Sequence, residues 1–215
     1  MALARRGALI VLEGGDRAGK STQVEMVVEA LNALGRSAQL LKFPDRTTSS
    51  GKVINDYLAN AKNVDDRAVH LLFAANRREL ESEMRTLLKN GVDLVVDRYA
   101  FSGVAYSAAK GLDLKWCMWP DVGLPEPDLV VYLDVAPEVA AQRGGYGAER
   151  YETAALQARV RTIFKSDLHD PAYWSVVDAG QSIDTVHQRI MQTALDRAVA
   201  RAEAGTPLAS LWRHL

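Results

Sequence analysis

The stretch Gly14-Gly15-Asp16-Arg17-Ala18-Gly19-Lys20-Ser21 constrains this chain more than any other. It matches the pattern G-x-x-x-x-G-K-[ST], and its context fits. Before it, Ala8-Leu9-Ile10-Val11-Leu12-Glu13 reads as a buried strand. After it, Val24, Val27, Val28, Leu31 and Leu34 mark one helical face, with Gly35 as a stop. The glycines let backbone N–H groups curl around phosphate oxygens, and the helix start adds the positive end of its dipole. Lys20 can then reach terminal phosphates and the Ser21 hydroxyl can ligate Mg²⁺, with Ala18 and Thr22 as part of the same cradle. A glycine turn that merely joined a strand to a helix would have no use for the Lys-Ser pair.

The rest of the chain repeats the alternation of strand and helix. Strands are expected at Ala38–Phe43, Leu94–Asp97, Leu129–Asp134 and Trp174–Asp178. Pro44 ends the first of these. Val53, Ile54, Tyr57 and Leu58 sit at helical spacing, and a longer helix is expected from about Asp65 to Lys89, with Gly91 past its end. Phe73 and Arg77 lie one turn apart on it. Spacing alone reads Phe73 as core and Arg77 as a solvated edge. Ser102–Tyr106 begins a helix or loop, and the proline-rich segment Trp116–Pro127 reads as a long connection. Pro137–Arg143 reads as a short helix, a further helix is expected from Glu152 to about Leu168, and Ser182 caps the last one.

Five strands with intervening helices imply a parallel sheet covered on both faces. Right-handed crossovers put the strand ends at one edge, where open α/β sheets bind ligands. Asp97 ends an apolar run there, followed by Arg98; an acid in that place helps hold Mg²⁺, or caps the next helix. Gly144-Gly145-Tyr146-Gly147, flanked by Arg143 and Arg150, suits a lid over phosphates or a plain surface turn. No linker divides the chain, so 1–215 is expected to be one domain with a lid at about 143–151.

Composition narrows the chemistry. Of 215 residues 48% are hydrophobic and 25% charged, with a formal net charge of -1. That excludes disorder and gives no electrostatic case for nucleic acid or an anionic membrane. No apolar run is long enough to span a bilayer, and the N-terminus lacks a signal-peptide core. The single cysteine, Cys117, permits no intrachain disulfide, so the cytoplasm is the expected compartment, with the nucleus as a second. The four histidines, His70, His169, His187 and His214, show no metal-ligand spacing, and those on helices are expected at the surface or partly packed. Phosphoryl transfer needs two substrates in line, Mg²⁺ and positive charge, and Lys20, Arg17, Asp97 and Arg98 suit it. A GTPase switch would need an Asn-Lys-x-Asp segment, where this chain has Tyr132-Leu133-Asp134-Val135.

Glu13 to Thr22, then Phe43-Pro44, then Asp97-Arg98-Tyr99 with Ser102-Gly103, together resemble thymidylate kinase of the eukaryotic type. Pro125-Glu126-Pro127-Asp128-Leu129 and Glu149-Arg150-Tyr151-Glu152 extend the likeness, which runs from about Arg6 to Trp212. The resemblance implies a P-loop nucleoside monophosphate kinase fold with strand order 2-3-1-4-5. It implies transfer of the γ-phosphoryl of ATP to dTMP, with Mg²⁺, in a homodimer. A related kinase with a broader acceptor range (dUMP or dGMP) is the alternative.

The same resemblance assigns roles. Asp16 would bond the sugar 3′-hydroxyl, and Arg17 would reach the γ-phosphate. Arg98, with Arg46, would clamp the dTMP phosphate, and Asp97 would organise Mg²⁺. Phe73 would stack on thymine, Arg77 would bond a carbonyl oxygen, and Gln157 would read the other polar edge. Tyr151 would close the 2′ side of the sugar, with Tyr106 nearby. Arg143 and the Gly180-Gln181-Ser182 turn would neighbour adenine. Gly15 stands where the family often has a larger residue.

Overall fold

The computed structural model describes residues 5–143 and 149–215, so the core of the expected lid lies outside the described residues. Five parallel strands form one sheet in the order β2-β3-β1-β4-β5. They are β1 (Leu9–Gly14), β2 (Ala38–Lys42), β3 (Asp93–Asp97), β4 (Leu129–Asp134) and β5 (Trp174–Asp178). Their register aligns Leu12 with Asp97 and Gly14 with Leu133, so the polar ends of β1, β3 and β4 emerge side by side.

Side chains alternate across a strand, which explains the unbroken apolar runs: both faces are covered. Leu9, Val11, Leu94, Val96, Val130 and Tyr132 face one core. That core is completed by α2 (Ser49–Leu58), α3 (Asp66–Lys89), α4 (Ala100–Ala108) and α7 (Ala154–Ser166). Ile10, Leu12, Val95, Leu129, Val131 and Leu133 face the other, against α1 (Lys20–Ala33) and α8 (Ile183–Thr193).

Local chemistry sets the helix starts. Asp65 caps α3 by accepting from the N–H groups of Arg67 and Ala68. Thr48, Thr153 and Ser182 cap α2, α7 and α8 through their hydroxyls. The expected long connection Trp116–Pro127 instead begins inside a short helix, α5 (Leu114–Met118), and continues in a 3₁₀ turn, Trp119–Asp121; the short helix expected from Pro137 is α6 (Pro137–Ala141). Asp113 caps α5, a signal that the prolines after it obscured. Beyond α8 the last helix passes through a π-helical turn, Ala194–Val199, before ending in Ala200–Glu203.

The amino ends of the strands are tied by two acids. Asp93 accepts from the Ala8 N–H and takes a two-point ion pair from Arg36. Asp128 accepts from the Leu9 N–H and pairs with Arg6 at 2.6 and 2.7 Å. The Pro-Glu-Pro-Asp motif therefore serves the end of the sheet away from the phosphate loop. No helix among the described residues is long and apolar enough to cross a membrane.

Candidate active site

The loop between β1 and α1 opens into a cleft of about 650 Å³, a size typical of ligand sites. Gly14 and Gly19 hold φ of 148° and 92°, conformations that cost a glycine little. Arg17 and Arg98 also have positive φ, 61° and 68°. For side chains with a Cβ that is uncommon, and such backbone clusters at functional sites. The same geometry sends both guanidinium groups toward the cleft they line.

Lys20 is buried, and its ammonium donates to the carbonyl oxygens of Gly14 and Gly15 at 3.1 and 2.6 Å. Burial, then the charge of Arg98, pulls its pKa down to about 8. Arg98 is ion-paired with Asp16 and also donates to the Gly14 carbonyl and Ser102 Oγ. Burial opposes the Arg98 charge, but Tyr106, Asp16 and Asp97 outweigh it and its pKa is raised. Burial also opposes the Asp16 charge, yet Arg98 and Lys20 hold its carboxyl below the ordinary value. Arg17 pairs with Glu152 at 3.0 Å. Asp97 Oδ2 accepts from Ser21 Oγ at 2.5 Å, while its buried Oδ1 has no hydrogen-bond partner among the described residues. Lys42 stands 3.7 Å from Asp97.

The cleft is also lined by Phe43, Phe73, Arg77, Ser102, Gly103, Tyr106 and Tyr151. Phe73 is half-buried, at the rim of the core and the wall of the cleft at once. Arg77 is buried, not solvated as spacing alone suggests: Asp121 accepts from its Nε and Nη2 at 2.8 and 2.7 Å. The Phe43-Pro44 bond is cis. The loop after it is fixed by Asn76, which bonds both the N–H and the carbonyl of Asp45. Arg46, from that loop, bonds Asn55 and pairs with Glu149. The Tyr106 and Tyr151 rings lie 5.3 Å apart, and the Arg98 guanidinium lies over Tyr106.

Gln157 stands behind the loop, beside Gly15, Tyr132 and Arg161, and does not itself line the main cleft. It accepts from the Asp16 N–H and donates to Asp16 Oδ2 at 2.6 Å and to the Tyr151 carbonyl at 3.0 Å. A Cβ added at Gly15 would meet its Oε1 at 3.0 Å. On the far wall, Arg143 donates to the carbonyls of Arg17 and Ala179, with Gln181 nearby in the cleft. Ala18, Gly19, Ser21 and Thr22 line the same wall. The tip Gly144–Gly147 lies outside the described residues; its flank Arg150 donates to the carbonyls of Tyr57 and Lys62.

Three groups escaped sequence reasoning. Glu13 is buried at the end of β1, where it accepts from the N–H groups of Tyr99 and Ser102 and from Ser102 Oγ, so it fixes the start of α4. Burial raises its pKa against those hydrogen bonds. Asp121 hides in the proline-rich connection. His70, expected at the surface or partly packed, is fully buried. Its Nε2 faces the Cys117 carbonyl, which can only accept, so the proton sits there and Nδ1 accepts from Ser107 Oγ. Burial, then Arg77, lowers its pKa and keeps it neutral.

Comparison with known proteins gives this geometry a family. Residues 12–190 match the family model described as Thymidylate kinase. A thymidylate kinase of Danio rerio is 51% identical over 211 residues, covering 97% of this chain and 99% of that protein. The Homo sapiens thymidylate kinase is 50% identical over 212 residues, covering 98% and 99%. The solved thymidylate kinase structure from Candida albicans superposes with a TM-score of 0.82 at 39% identity, covering 89% of this chain and 92% of that one. The chain belongs to the thymidylate kinase family.

Proposed function

We infer that the cleft performs the family's reaction: the γ-phosphoryl of ATP passes to dTMP, giving dTDP and ADP for dTTP synthesis. The observation that carries this reading is that the Lys20 loop and the Phe73–Arg77 wall open into one cleft, with Asp16 and Arg98 between them. A phosphate oxygen of dTMP attacks the γ-phosphorus, the bond to the β–γ bridging oxygen breaks, and ADP leaves with those electrons. The protein's part is positioning and charge.

The donor side is formed by Gly14 to Thr22. Lys20 would exchange its two backbone carbonyls for phosphate oxygens, and Arg17 would turn from Glu152 to the γ-phosphoryl. Arg143 and Gln181 would border adenine. On the acceptor side Arg98, with Arg46, holds the dTMP phosphate. Asp16 takes the 3′-hydroxyl, and Phe73 stacks on the base against Phe43 and Pro44. Arg77 donates to a carbonyl oxygen, and Ser102 and Gly103 form the floor. Tyr106 and Tyr151 border the sugar. Gln157 contributes by steadying Asp16, since its amide is committed there.

Mg²⁺ fits Ser21 and Asp97: the unpartnered, buried Asp97 Oδ1 beside a hydroxyl is a hard oxygen site for an ion that keeps several waters. There it would supply positive charge that offsets the charge of the phosphates. The described residues hold no larger cluster of metal-ligating side chains. The chain would act as one domain and as a homodimer, in the cytoplasm and nucleus.

An acceptor panel tests the reading. With ATP and Mg²⁺, dTMP should turn over much faster than dCMP or dAMP; equal turnover of those two would sink the assignment.

A further inference from the structure

We propose that Asp121 is a positioning residue that sets acceptor-base selectivity by holding the Arg77 guanidinium in one orientation. The inference rests on the reading above that Arg77 meets the acceptor base. Arg77 offers five N–H donors. Asp121 takes Nε and one hydrogen of Nη2 in a two-point pair whose carboxylate side chain is wholly buried and whose guanidinium side chain is 3% exposed. Nη1 has no protein partner among the described residues, and Arg77 lines the cleft. What reaches the ligand is therefore a fixed edge of donors. Such an edge accepts a carbonyl oxygen and rejects an exocyclic amino group, which would bring donor against donor.

The surroundings leave the guanidinium no second place. A Cβ at Gly103 would sit 2.7 Å from Nη2, so the flat group lies directly on that glycine. The loop that delivers Asp121 is itself gripped by α3. Arg78 donates to the carbonyls of Pro120 and Val122, and Arg85 to that of Gly123. The carboxylate is thus held by the same helix that carries Arg77.

Steady-state kinetics with dTMP and with 5-methyl-dCMP report the effect, because the two share methyl, sugar and phosphate and differ only in the 4-substituent and the N3 proton that goes with it. Asp121→Asn keeps the shape and removes the charge. It should raise KM for dTMP about tenfold and lower the dTMP over 5-methyl-dCMP preference by a similar factor, leaving KM for ATP within about twofold. Asp121→Glu keeps the charge and shifts it by one methylene, and should lower the same preference; it decides the matter if Asp121→Asn does not fold. Arg36→Ala, at the opposite end of the sheet, should lower the melting temperature and leave the preference unchanged. A folded Asp121→Asn with wild-type preference overturns the proposal, as does an equal shift in Arg36→Ala. Wild-type enzyme with no preference for dTMP would instead overturn the reading of the acceptor.

Discussion

Strand β3 begins and ends on a buried aspartate, and the two are used in opposite ways. At its amino end Asp93 has both oxygens engaged, by the Ala8 N–H and by Arg36. At its carboxyl end Asp97 has one oxygen on Ser21 and one with no hydrogen bond among the described residues. The contrast extends sideways. Asp128, on the other side of β1 from Asp93, is closed by Arg6 and a backbone N–H. Lys20 and Arg98, beside Asp97, hold partners that a phosphate could replace. A closed set of partners stabilises; an open set is prepared for a ligand. The lesson is that burial and charge do not separate the two ends, whereas completeness of hydrogen bonding does.

The largest effect should come from the open end. If Arg98 holds the dTMP phosphate, Arg98→Ala should cost about 10³-fold in kcat/KM for dTMP, with KM for ATP little changed. Unchanged dTMP kinetics would remove Arg98 from the acceptor site. Arg17→Ala should cost about 10²-fold in kcat if it acts as an internal arginine finger. A near-wild-type rate in single-turnover measurements would hand that task to Arg143 or Arg150.

At the closed end the effect should move to stability. Asp93→Asn weakens the pair with Arg36 and should cost about 2 kcal/mol, discounted because Arg36 is partly exposed. Calorimetry should then show a melting temperature lower by about 4–8 °C, with kcat/KM nearly unchanged below it. A large loss of rate at full stability would break the comparison.

The smallest effect is a titration confined to the open end. With a pKa near 8, Lys20 is charged below pH 8 and progressively neutral above it in the ligand-free enzyme. ATP needs the charged form, so its Kd should rise with pH above 8, by up to about tenfold per unit. A flat calorimetric profile from pH 7 to 9 would mean that Lys20 keeps its charge.

Much of this was legible in the sequence. The glycine loop, the five strands and their ends announced themselves through apolar runs bounded by glycine, proline and aspartate. β4 and β5 fall at the expected residues. What sequence could not reveal was pairing between distant segments. Nothing near residue 121 says that its carboxylate meets a guanidinium 44 positions earlier. His70 lies on an amphipathic helix where a polar residue reads as exposed, because its partners come from two other helices. Arg77 reads the same way for the same reason. Gln157 reaches the phosphate loop from 141 residues away, so its neighbourhood is also tertiary. Periodicity reports which face is buried, and a buried polar residue looks exposed until its partner is known.

The grip of α3 on the Trp119–Gly123 loop has a consequence for how such chains vary. Arg78 and Arg85 hold that loop by carbonyl oxygens, and every residue type presents the same carbonyl. The grip therefore dictates the path and length of the loop and is blind to its letters. Among relatives, positions 120 and 122 should drift freely, while an insertion should be rare and the acid at 121 retained. Aligned sequences of the family would show it as constant spacing around a single constant residue.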